Sequence, residues 1–92
     1  MARQSKYIYG ELRTPTGFVG GALVFPDFCD HALMARLNCE EGSVKSAGFV
    51  SVTVNATGSL EVELWGESRS LKVQSDPRHT NAVRRALGLE TY

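Results

Sequence analysis

No stretch of this sequence stays apolar long enough to cross a bilayer. The longest apolar run, GFVGGALVF at residues 17–25, falls far short of the roughly 20 residues a spanning helix needs. The opening MARQSKYIYGEL is charged and lacks the apolar segment of a secretory leader. Together these absences set the expectation of a cytoplasmic protein with no membrane partner and with its two cysteines reduced. On that expectation, Asn55-Ala56-Thr57 matches a glycosylation acceptor only by coincidence. Net charge is missing too. Ten Lys and Arg balance ten Asp and Glu, so no global field recruits nucleic acid or an anionic membrane. Repeats, linkers and low-complexity segments are also lacking.

With 92 residues there is material for one domain, 1–92, and neither half alone would hold enough core. The 42% hydrophobic and 22% charged fractions are those of an ordinary globular chain with a small core. The charges are unevenly placed. Residues 1–26 carry three bases against Glu11, residues 27–67 two bases against seven acids, and residues 68–92 five bases against two acids. Basic ends around an acidic middle make the molecule electrically polar at zero net charge.

KYIYGELR alternates Ile8, Gly10 and Leu12 against Tyr7, Tyr9 and Glu11, a strand pattern. TPTG follows, with Pro15 and Gly17 at the second and fourth turn positions. FVGGALVF is apolar at both parities, as in a strand covered on both faces, and the two strands are expected to pair as a hairpin. Pro26 ends the second. Asp27 is placed to cap a helix over FCDHALMARL, with Asp30 adding charge to its positive end and Asn38 able to turn left-handed at its close. GFVSVTV, LEVEL and SLKVQS alternate as three strands, the first two joined by the turn NATGS, and predict a meander with one wet face. Finally Asp76 as cap, Pro77 at the first helical position and Gly88 past the end bracket a second helix. The predicted architecture is α+β: one small domain of about five mostly antiparallel strands and two helices, in the order ββαβββα, with the helices packed on one face.

Chemistry is hardest to find where it looks densest, in FPDFCDHALMARLNCEE. Zinc needs four converging ligands. Cys29 and His31, two apart on a helix, point in nearly opposite directions. Cys39 lies past the helix end, His79 is far away in sequence, and neither a CxxC nor an HxxxH spacing occurs. The expectation is therefore no metal and no cofactor, with His31 on the helix surface. A helix start activates a thiol, but Asp27 and Asp30 oppose that at Cys29, and no base is positioned beside it. The glycines of GFVGGAL do not have a nucleotide-binding spacing. SDPRHT offers Arg78, His79 and Thr80 to an anion, but Asp76 would repel one. No GxSxG elbow is present.

ELWGES is different. Alternation puts Trp65 with Glu61 and Glu63 on the wet side, unless a bulge at Gly66 turns the ring inward. Tyr7 and Tyr9 join that face if the first hairpin enters the sheet in the matching register. An exposed aromatic patch favours an interface. The sequence therefore points first to a non-enzymatic protein-interaction module, binding another protein or itself as a homodimer through a sheet face or an edge strand. The second reading is a nucleic-acid-associated protein using Arg78, Arg84 and Arg85 of the basic C-terminal helix. The third is a small enzyme working through Cys29 or His79.

Overall fold

A computed structural model describes residues 4–89. Strands β1 (Ser5–Thr14) and β2 (Gly17–Pro26) form the expected hairpin, joined by Pro15-Thr16 and paired without interruption from Thr14↔Gly17 to Ser5↔Pro26. Helix α1 (His31–Asn38) follows, then β3 (Ser46–Val54) and β4 (Leu60–Trp65). β1 pairs with β3 and β3 with β4, giving an antiparallel sheet in the order β2-β1-β3-β4. The NATGS turn is as predicted, with Asn55 Oδ1 accepting from the amides of Thr57 and Ser59.

The third meander strand does not join this sheet. Gly66, at φ +75°, turns the chain away, and a Cβ there would stand 2.9 Å from the Phe49 ring. The segment instead folds into a two-residue ribbon, β5 (Glu67–Ser68) with β6 (Val73–Gln74), packed beside β3. Gly48 of β3 admits this close approach, since a Cβ there would lie 2.5 Å from the Trp65 carbonyl oxygen. Leu71 and Val73 still point into the core as their alternation predicted.

The α+β class holds, but the helices divide between the faces instead of sharing one. On one face Ile8, Leu12, Leu23, Phe25 and Ala47 pack under Met34, Ala35 and Cys39 of α1 and its end. On the other, Tyr7, Tyr9, Ala22, Val24, Val50, Val52, Val62 and Leu64 pack under Val83 and Leu87, from α2 (Thr80–Ala86) and its C-cap. The cause is legible in β1 and β2, whose apolar residues occupy both parities and need cover on both sides.

Both helix starts show how local signals compete. α1 begins three residues later than an Asp27 cap would place it. Asp30, in extended backbone, accepts from the Leu33 amide at 3.1 Å and takes the role. The C-terminal residue Asn38 stays helical and donates to the Met34 carbonyl, rather than turning left-handed. The second helix starts where predicted. Asp76 accepts from the Arg78 amide at 2.9 Å and opens a 3-10 turn, Pro77–His79, that runs into α2. Gly88 closes it at φ +74°, with the Leu89 amide bonded back to Arg84 and the Gly88 amide to Arg85.

Candidate interaction surface

β2 lies at one edge of the sheet. In an antiparallel ladder, alternate residues direct their backbone groups to opposite sides. The odd residues of β1 face β3 and its approach: the Tyr9 carbonyl accepts from Lys45, the Glu11 carbonyl from Glu40, and the Glu11 amide donates to Ser43 Oγ. The even residues of β1 therefore face β2, where their partners are Val19, Gly21, Leu23 and Phe25. It follows that Phe18, Gly20, Ala22 and Val24 direct their N–H and C=O groups away from β1, toward the outer edge of the sheet. This edge is ten residues long, carries no bulge, and contains no Asp, Glu, Lys or Arg. Its tip exposes Phe18 (46%) and Val19 (53%).

The opposite edge is built differently. β4 has six residues, two of them the exposed Glu61 and Glu63. Its Leu60 carbonyl accepts from Arg84 Nη1 at 3.2 Å. Charges, short length and a covering cation are the ordinary means of discouraging pairing at an edge. β4 has all three, whereas β2 has Pro26 at its last position and α2 packed against Ala22 and Val24 on one face. No family model, curated protein or solved structure matches this chain.

The aromatic patch predicted from the sequence does not assemble. Lys6 pairs with Phe49, and Phe49 with Trp65, which puts Trp65 on the α1 face. Tyr7 and Tyr9 lie on the opposite face, Tyr7 fully buried and Tyr9 stacked on His79 at 3.8 Å. Trp65 does share its face with Glu61 and Glu63, as alternation predicted, but it is half-buried. Its ring stacks on Phe49 at 4.8 Å and its Nε1–H donates to Ser51 Oγ at 2.8 Å. Phe49 in turn meets His31, which meets Phe25, both edge to face. An aromatic row thus crosses the sheet from β2 to β4.

His31 sits inside this row, which corrects its predicted surface position. Its Nε2–H donates to the Gly48 carbonyl at 2.8 Å. Burial holds its pKa below the ordinary imidazole value, against the raising effect of the bond to Gly48. Burial likewise raises the Cys39 thiol, with nearby Arg13 acting the other way.

A buried polar chain on the α2 face escaped sequence reasoning. The Asp76 amide donates to Tyr7 Oη (3.0 Å), Tyr7 Oη donates to Ser46 Oγ (3.1 Å), and Ser46 Oγ lies 2.6 Å from His79 Nδ1. Ser46 Oγ thus accepts from Tyr7 and shares a second hydrogen bond with the imidazole of His79. A serine against a histidine resembles a nucleophile with its base, yet Ser46 has 0% exposure, so no substrate reaches its oxygen. The chain ties the start of the second helix to β1 and β3. Only the spacing of polar residues on an otherwise apolar strand face hinted at it.

Cys29, half-buried in the turn before α1, packs with the α1-side core, whereas His79 lies across the sheet. The structure therefore does not bring these two together. Of the three arginines predicted to contact nucleic acid, Arg78 and Arg85 are exposed and Arg84 is half-buried. Arg78 pairs with Asp76 at 2.9 Å, and Arg84 is spent on the Leu60 and Leu89 carbonyls. A shallow cleft of about 680 Å³ between α1 and the ribbon mixes Arg13 and Arg36 with Glu40 and Glu41 over an apolar floor. Among the described residues no cluster of three or more metal-ligating side chains occurs.

Proposed function

We propose that this protein is an interaction module that receives an extended strand along the edge of β2. The observation that carries the reading is the contrast between the two sheet edges, one short, charged and bonded by Arg84, the other long and free of charged side chains. Strand addition takes its affinity from main-chain hydrogen bonds, and the four outward-facing residues of β2 supply them in regular alternation. The engagement of Arg84 by the Leu60 and Leu89 carbonyls weighs against the basic helix as a nucleic-acid surface.

A titration of dilute ¹⁵N-labelled protein with a lysine-flanked Thr-Val repeat peptide tests this. Amide shifts are expected at Phe18, Gly20, Ala22 and Val24 and are lost in Ala22→Pro, which removes an outward donor without breaking a bond to β1. Shifts confined to β4, or none anywhere, would overturn the proposal.

A further inference from the structure

We infer that the strand received at β2 is the β2 of a second copy, paired antiparallel about a two-fold axis at Gly21. The inference rests on β2 being a strand-receiving edge and adds the occupant and the register. A two-fold interface requires one surface to be complementary to itself. The outward residues Phe18, Gly20, Ala22 and Val24 are placed symmetrically about Gly21. With Phe18 opposite Val24 of the second copy, and Gly20 opposite its Ala22, every outward N–H and C=O finds a partner. Four such pairs exchange two hydrogen bonds each, about eight in all, which is within the range of about 10 ± 5 of an ordinary protein interface. Shifting the register by two residues either way leaves outward groups unpaired.

The side chains agree with that register. On one face the exposed Phe18 meets Val24, and on the other the exposed Val19 meets Leu23. Near the axis β2 itself carries only Gly20, Gly21 and Ala22, so no large side chain of its own separates the strands. No charged residue lies in Gly17–Pro26, and the formal net charge of the chain is zero, so neither edge nor molecule repels its copy. The same operation applied to β4 fails. Pairing about Val62 would set Glu61 directly against Glu63 of the second copy, a like-charge pair that destabilises a ladder. The product at β2 is one continuous eight-stranded sheet with both copies of α2 on the same face.

Two measurements decide the matter. In sedimentation equilibrium the mass is expected to rise from 10.1 kDa to twice that value with concentration. Ala22→Pro and, independently, Val19→Lys are each expected to weaken the dimer at least tenfold while the thermal transition remains cooperative. Because Val19 is half exposed, its lysine variant keeps the test alive if the proline variant does not fold. The register is read by disulfide formation in a Cys29→Ser background. Val19→Cys mixed with Leu23→Cys is expected to oxidise to a covalent dimer, because Cα atoms of facing non-hydrogen-bonded residues lie about 4.5 Å apart. Val19→Cys alone is expected not to, its two copies being about 13 Å apart along the strands. A protein that stays monomeric while the Thr-Val peptide still shifts the β2 amides would overturn self-pairing and leave the edge reading intact. A dimer indifferent to both substitutions and lacking the 19–23 disulfide would likewise overturn self-pairing at β2.

Discussion

His31 is held neutral by burial between Phe25 and Phe49, with Lys6 opposing its protonation and Asp30 favouring it. Its folded pKa lies below the unfolded value of about 6.5, so the unfolded chain binds the proton first. The stabilisation is complete above about pH 6.5 and declines as pH falls from there toward the folded pKa. Denaturant midpoints are expected to drop between pH 7 and pH 5, and His31→Gln, which keeps a donor for Gly48 but cannot titrate, should flatten that drop. An equal drop in the variant would assign the effect elsewhere. Trp65 belongs to the same row. Complete truncation of a core aromatic costs about 3–5 kcal/mol, and for this half-buried ring Trp65→Ala is expected to cost about 2 kcal/mol in urea denaturation, with no effect on assembly. A midpoint equal to the parent's would mean that the stack on Phe49 contributes nothing.

At the scale of the element, the two helices divide on how far their signals are local. Asp76, Pro77 and Gly88 act within the second helix, need nothing from the rest of the chain, and were legible in the sequence. For α1 the sequence places the cap at Asp27, with Asp30 only adding charge. The choice of Asp30 follows from where His31 must be buried, and that depends on Gly48, seventeen residues away. Asp30→Ala is accordingly expected to cost about 1 kcal/mol and the exposed Asp27→Ala close to none, by chemical denaturation. The reverse order would return the helix start to residue 28. Strand periodicity was equally legible, but membership of a sheet was not. Leu71 and Val73 point inward as their alternation indicates, yet Gly66 and the open backbone at Gly48 divert their segment into a separate ribbon. The patch of Trp65, Tyr7 and Tyr9 failed for the same reason, because the face each occupies is set by the pairing of β1 with β3.

For the whole molecule, the run GFVGGALVF was recognisable as a strand covered on both faces, but not as one at the edge of the sheet. Edge position comes from strand order, and strand order depends on β1 pairing across α1 with β3. Amide exchange reads that order directly. In dilute monomer, Val19, Gly21, Leu23 and Phe25 donate to β1 and should exchange slowly. Phe18, Gly20, Ala22 and Val24 donate outward and should exchange quickly, giving a period of two along one strand. Fraying from the Pro15-Thr16 turn would instead produce a smooth gradient from residue 18 to residue 25, so alternation cannot be mistaken for a loose tip. As concentration rises into the dimer range, the fast set should slow while the slow set changes little, because only the outward donors gain partners. Uniform protection along β2 in the monomer would mean that something already covers the edge, and the surface proposed for strand addition would not be open.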